Sequence, residues 1–298
     1  MQFVLRFTFL GVTILMAVGC ASDRSPSTAA GTQADPCVQY AQVESIPENY
    51  RVLILGELHG TAESPAVVQS FICEYTKTKA TVLVLEAPKA AIDAVFMDPT
   101  SADSSKADFD KRIAASNAAF WNRPPRYQDG KASEAWAALL QFVVELNSKG
   151  TRKHVSVLGV DPNAAATRIE LMDKSILELS QTYPDRQVIV LLGNFHARRI
   201  RASIHVAADA AILRRNILVL NMAHAGGTAW LCEQDGCAEK SVGPSHAADS
   251  GIPHVRWSLG DWDKNFDGIY WLATVTASPP ACVRLTSCKV PGKPASPP

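Results

Sequence analysis

Short uninterrupted apolar runs alternate along the chain with longer stretches whose apolar residues recur at helical spacing. The runs are RVLILG (51–56), TVLVLE (81–86), HVSVLGV (154–160), QVIVLLG (187–193), NILVLN (216–221) and IYWLATV (269–275). Most are continuous and rich in β-branched residues, the pattern of strands covered on both faces. Between them, SEAWAALLQFVVELN places Trp136, Leu139, Leu140, Val143 and Val144 on one helical face, with Ser133 as N-cap. ESPAVVQSFICEYTK and NAAATRIELMDKSILELSQ have similar character. Strand–helix alternation predicts an α/β fold, a mostly parallel central sheet with helices on both faces. No polar linker divides residues 49–278, so one domain is expected there.

Two long insertions interrupt the alternation. Residues 97–131 are mostly polar, and 225–257 are Gly-rich and hold two cysteines. Both are expected to be irregular loops, the kind of insertion that often forms a lid or a specificity loop.

The ends differ from the middle. Arg6 is followed by FTFLGVTILMAVGC, too short to span a bilayer comfortably and built like a signal peptide. Its AVGC ending, Ala17 to Cys20, resembles a bacterial lipobox. That implies a signal peptide over 1–19, cleavage before Cys20 and lipidation of Cys20. Ser22, with no Asp directly after Cys20, favours an outer-membrane lipoprotein facing the periplasm. Residues 20–48 then read as a flexible tether and 279–298 as a Pro-rich tail.

Composition narrows the function classes. The 298 residues carry zero net charge and are 47% apolar. That balance gives no reason to expect nucleic acid as a partner. Of seven cysteines, Cys20 is assigned to the lipid. The even remainder in an oxidising compartment suggests disulfides. Cys37–Cys73 is the favoured pair, with Cys232, Cys237, Cys282 and Cys288 pairing among themselves. The spacing of Cys232 and Cys237 lacks the CxxC of a zinc site.

The chemistry gathers where the apolar runs stop. Glu57 and His59 follow the first, Glu86 ends the second, and Asp161 follows the third. Asn194 and His196 follow the fourth, and His224 the fifth. Ligands of open parallel sheets bind beyond the carboxyl ends of the strands, so these residues are expected at one edge. The first and fourth runs both close on Gly-x-x-His, Gly56 to His59 and Gly193 to His196. The glycines are expected to allow sharp turns, and both histidines to project from loops, partly exposed. Two imidazoles with Glu57 and Glu86 suit either a divalent metal that activates water or a carboxylate-held histidine acting as general base. Neither a G-x-S-x-G elbow nor a nucleotide-binding glycine motif is present.

GELHGTAESP (56–65) together with GNFH (193–196) resembles a superfamily that joins erythromycin-esterase-like hydrolases, Tiki/TraB proteases and ChaN-like haem-binding lipoproteins. LVLEAP and FDGIYWLATVTASPP resemble its second and final strands, so the likeness covers most of residues 50–277. Its Glu-x-His spacing and lipoprotein address are nearest the ChaN-like uptake group. The resemblance implies a site of Glu57, His59, Glu86 and His196, with Glu63 and Asn194 nearby.

The expected activity is therefore an exported hydrolase acting on an ester or amide, with a small-molecule or peptide substrate. In it His59 activates water, assisted by Glu57 and Glu86; His196 serves as second base, acid or metal ligand, and Asn194 donates to an oxyanion. The alternative is a haem- or metal-binding lipoprotein without turnover, liganded through an imidazole or Tyr127. In WNRPPRYQDGK, Arg123, Arg126, Tyr127 and Asp129 would line a pocket over the strand ends, and Asp161 is a further candidate for substrate binding. The arginines would meet a substrate carboxylate or phosphate.

Overall fold

The computed structural model describes residues 35–43, 49–96, 106–116, 119–162, 166–207, 209–245, 251–257 and 265–288. The signal peptide, Cys20 and the tether up to residue 34 lie outside the described residues, as does the tail beyond residue 288. No described helix is long and apolar enough to cross a membrane.

The protein is α/β. Each expected run forms a strand: β1 Val52–Glu57, β2 Thr81–Pro88, β3 Val155–Asp161, β4 Gln187–Gly193, β5 Ile217–His224 and β9 Gly268–Leu272. They pair in parallel in the order β3-β2-β4-β1-β5-β9, and β8 (His254–Trp257) adds an antiparallel edge. β9 stops at Leu272, short of the expected 275, and Val275 forms an isolated bridge to Gly227.

β1, β2, β4, β5 and β9 are buried almost throughout because alternate residues supply two cores, while β3 at the sheet edge is largely half-buried. Leu53, Leu55, Leu83, Leu85, Ile189 and Leu191 face one side. There they meet Val67 and Phe71 of α1 (Glu63–Tyr75) and Trp136, Leu139 and Val143 of α5 (Glu134–Lys149). Val52, Ile54, Val82, Val84, Val188 and Val190 face the other. They meet Met172 and Ile176 of α6 (Arg168–Leu177), Ala197, Ile200 and Ile204 of α8 (Asn194–Val206) and Leu213 of α9 (Ala210–Asn216). Each such fully buried aliphatic side chain contributes about 1.5–3 kcal/mol. The short α7 (Leu179–Thr182) extends the second layer. Ser133 caps α5 as expected: its hydroxyl accepts the Trp136 N–H at 3.3 Å.

Both insertions are more ordered than their composition suggests. In the first, α2 (Lys89–Asp93) leads to α3 (Lys106–Ala115), α4 (Ala119–Asn122) and a 3₁₀ turn, Pro125–Tyr127. Trp121 anchors them, fully buried and donating from its indole to the Ala91 carbonyl at 2.8 Å. A single large apolar side chain with its N–H satisfied holds an otherwise polar stretch to the core. The second insertion is a β-hairpin, β6 (Gly227–Glu233) with β7 (Gly236–Val242), followed by β8.

The domain is also wider than 49–278. Cys37 bonds Cys73 of α1, Ala41 and Val43 are buried, and Gln42 bridges to His254. At the other end α10 (Ala281–Arg284) buries Ala281 and Cys282, and Cys282 bonds Cys288. Cys232 and Cys237 face each other across the hairpin and form the third disulfide. Cys37–Cys73 is the favoured pair, and the four cysteines whose partners the sequence leaves open pair among themselves.

Candidate functional site

The first four strands deliver Glu57, Glu86, Asp161 and Gly193 to one edge, beside the N-terminus of α8. β1 and β4 are neighbours in register, so Glu57 lies opposite Gly193. This brings the two Gly-x-x-His segments together. The glycines are needed for close approach rather than for a turn. A Cβ on Gly193 would sit 2.8 Å from His59 Nε2, and one on Gly56 would sit 2.6 Å from Asn194 Oδ1. Each motif's glycine makes room for a polar side chain of the other motif.

His59 lies between two carboxylates. Its Nδ1 is 2.8 Å from Glu57 Oε1 and its Nε2 is 3.4 Å from Glu86 Oε2. The Trp136 indole N–H also donates to Glu57 Oε1, at 3.2 Å. Glu86 is the hub, its side chain only 2% exposed. Its Oε2 accepts the Gly193 N–H at 2.9 Å, and its Oε1 accepts Lys131 Nζ and an Arg168 N–H, both at 3.1 Å. Arg168 in turn grips Asp161 with two hydrogen bonds, at 2.8 and 2.6 Å. His196 Nε2 stands 3.6 Å from Glu86 Oε1.

Two histidines thus share one carboxylate but differ in charge. Burial works against a charged His59, yet the Glu57 and Glu86 contacts outweigh it and push its pKa up to about 10. Burial pushes His196 down from 6.5; Glu86 opposes that, while Arg168, Lys131 and His59 reinforce it. The α8 N-terminus acts in the same direction. Glu86 is held far below the usual carboxylate range: burial would raise it, but His59, Lys131 and His196 outweigh burial. At neutral pH His59 is an imidazolium and His196 a neutral imidazole. Three acceptor atoms here are buried without a partner: Glu57 Oε2, Asn194 Oδ1 and His196 Nδ1.

Several placements depart from the sequence reading. Asn194 and His196 are not on a loop; they open α8, and His196 is only 8% exposed. Glu63 is outside the cluster and ties α1 to the C-terminal segment by accepting the Thr276 N–H at 2.9 Å. Arg126 and Tyr127 also lie off the site: Tyr127 is 46% exposed, with the Arg126 guanidinium 4.7 Å from its ring centre. His224 ends β5 at the same edge, but its Nδ1 accepts the Gly226 N–H in a turn. Sequence reasoning missed Lys131, Arg168 and Trp136 as members of the cluster. None follows a strand, so no local pattern marks them.

Beside the cluster a cavity of about 380 Å³ opens under the first insertion. Its apolar wall is Ala90, Ala91, Ala119 and Phe120; its polar wall is Arg123, Gln128, Asp129, Lys131 and Asp161. Arg123 and Asp161 both line this cavity. The size falls within the usual range for small-molecule sites.

The donor set does not fit a resident metal. Both oxygens of Glu86 already meet N–H or ammonium donors, and both ring nitrogens of His59 face carboxylates. A divalent ion would have to compete with Lys131 and Arg168. Among the described residues no group of three or more His, Cys, Asp or Glu is arranged to hold a metal ion. Haem fits no better at His59, whose ring nitrogens both face carboxylates.

No protein-family model matches the chain. No curated protein matches it either. Two solved structures are similar in fold. One is a succinoglycan biosynthesis protein, 9% identical over 78% of this chain and 90% of that one, with a TM-score of 0.48. The other is the type III effector HopBA1, 13% identical over 75% and 88%, with a TM-score of 0.38. What the fold and the site define is an α/β protein with a buried Glu/His cluster beyond its parallel strands.

Proposed function

We propose that the chain is an exported lipoprotein hydrolase that uses the Glu57–His59–Glu86–His196 cluster to add water to an ester or amide carbonyl. The observation that carries this reading is the split between the histidines. One is held protonated and the other neutral, on either side of Glu86. Titratable groups pushed apart in this way mark acid and base assignments.

The sequence reading gave the base role to His59. Its carboxylate clamp makes it a poor base, and the role passes to His196. His196, held neutral beside Glu86, accepts a proton from water as the water oxygen bonds to the carbonyl carbon. Lys131 Nζ, on the cavity wall, stabilises the oxyanion that forms. When the carbonyl re-forms, the bond to the leaving group breaks, and the proton on His196 passes to the departing oxygen or nitrogen. His59, Glu57 and Trp136 hold Glu86 in place. The signal-peptide pattern, the lipobox resemblance and three closed disulfides support export to an oxidising compartment.

The test is turnover of a panel of 4-nitrophenyl esters and anilides by the oxidised chain and its His196→Ala variant. A fall in kcat on the order of 10²–10⁴ in the variant is expected. No turnover by the parent chain, or equal rates in both, would reject the reading.

A further inference from the structure

The six parallel strands all begin at one pole of the sheet, opposite the Glu/His edge. Five of them are preceded there by a basic residue. Arg51 stands one residue before β1, Lys79 two before β2, Lys153 two before β3, Arg186 one before β4 and Arg215 two before β5. In the sheet these strands are consecutive neighbours, β3-β2-β4-β1-β5. At the usual strand spacing the five cations form a row about 20 Å long. All five are exposed, and none forms an ion pair with an acid among the described residues.

The chain as a whole is neutral, so this row is a segregation of charge. Asp35, Glu74 and Glu178 each have a base of their own, Arg152, Lys77 and Lys174. Asp209 lies at the other end of α9 from Arg215. Among the described residues Asp185 alone opposes Arg51, Lys79, Arg186 and Arg215 on the wall of an open cavity of about 620 Å³ at this pole. The chain enters the domain here too. Asp35, the first described residue, pairs with Arg152 at 2.7 Å, just ahead of β3, and Cys37 bonds Cys73 near the end of α1. Arg152 also donates to the Cys73 carbonyl at 2.7 Å.

A row of exposed, long cationic side chains is too wide for a single phosphate and suits an extended anionic surface. Each basic residue held close to an anionic leaflet strengthens binding about fivefold, so five together outweigh one acid. The attraction fades over a Debye length, about 10 Å at 0.1 M salt. β2 alone spans about 25 Å, so the Glu/His edge lies beyond its reach.

We propose that this row docks onto an anionic lipid surface, the phosphate headgroups of the leaflet that holds the Cys20 anchor, and turns the Glu57–His196 edge away from the membrane. The proposal rests on the lipoprotein reading and is independent of hydrolysis.

β2 supplies the internal control, with exposed Lys79 just before it and exposed Lys89 just after it. The full chain is added to vesicles of phosphatidylcholine, with or without phosphatidylglycerol, and labelled briefly with an impermeant acetylating reagent. Mass spectrometry reads the modification of each lysine. Phosphatidylglycerol should slow acetylation of Lys79 and Lys153 by on the order of tenfold and leave Lys89 unchanged. The protection should disappear near about 1 M salt. Arg51→Gln/Arg186→Gln/Arg215→Gln changes exposed side chains only, and should lose most of the protection while keeping the parent's unfolding midpoint. Equal acetylation in both vesicles, equal protection of Lys89, or protection that survives the triple variant would overturn the proposal. Protection by inorganic pyrophosphate without vesicles would assign the row to a soluble anion and overturn it as well. Palmitate incorporation at Cys20 is read separately. A chain without palmitate that still shows the protection loses the lipoprotein address and keeps the docking face; a palmitoylated chain without protection keeps the address and loses the face.

Discussion

His59 shows how two buried acids can be tolerated at one strand edge. Its imidazolium joins Glu57 to Glu86, while Lys131 and Arg168 cover the second oxygen of Glu86. Removing the ring leaves two buried carboxylates facing each other, so His59→Ala should lower stability as well as activity. A loss of about 3–5 kcal/mol is expected in chemical denaturation. An unchanged midpoint would mean that the clamp contributes nothing to folding. The pH dependence has a defined sign. His59 has a raised folded pKa, so its contribution is complete below its unfolded value of 6.5 and is lost as pH rises through about 10. His196 has a lowered folded pKa, so its effect is the reverse, a loss of stability as pH falls below 6.5. Turnover should therefore rise on an acid limb below 6.5, where His196 loses its proton, and fall on an alkaline limb near 10. A pH–rate profile with its acid limb above 7 would remove His196 from the base role. Glu57, His59, Glu86 and His196 were legible because each closes an apolar run, and the topology of a parallel sheet gathers such positions. Lys131 and Arg168 were not, because their meeting with Glu86 depends on how an insertion and a helix fold back over the edge.

At the scale of elements, period and length were enough to find the six parallel strands and the helices α1, α5 and α6, since each is fixed by its own burial pattern, whereas α8 was read as a loop. The insertions were misread as irregular. Trp121 pins α4 through a contact thirty residues away in sequence, which no local pattern marks, and the β6–β7 hairpin is closed by facing cysteines. The hairpin also reaches the site, since the Gly60 carbonyl accepts the Trp230 N–H at 2.9 Å one residue beyond His59. This separates the roles of two disulfides. Cys37–Cys73 closes a long loop, with a sequence separation of 36, and Cys232–Cys237 a short one, with a separation of 5. Chain entropy then assigns about 4 kcal/mol to the first and about 2 kcal/mol to the second. Replacing Cys37 and Cys73 by Ser should shift the unfolding midpoint more, whereas replacing Cys232 and Cys237 should cost more turnover relative to its stability loss. The opposite ranking in paired denaturation and activity measurements would show that the hairpin does not support the site.

At the scale of the whole molecule, the described domain begins at residue 35 and is tied to α1 through Cys37. The stretch from Cys20 to residue 34, rich in Ser, Ala and Thr, suits a spacer between a lipid and a folded domain. A single acyl chain gives only marginal membrane binding, and stable anchoring takes more than one. A lipobox cysteine acylated on both its thiol and its amino group would meet that requirement. Expression of the full chain in a Gram-negative host with radiolabelled palmitate should therefore label it and retain it in the membrane fraction. Cys20→Ser should abolish labelling and release the chain to the soluble periplasmic fraction, or leave it uncleaved. In either case the three disulfides should still form, because their partners all lie within residues 37–288 and their oxidation depends on export alone. Palmitate label that persists in Cys20→Ser would place the anchor elsewhere. Free thiols in the exported parent chain would remove the oxidising-compartment argument on which the address rests.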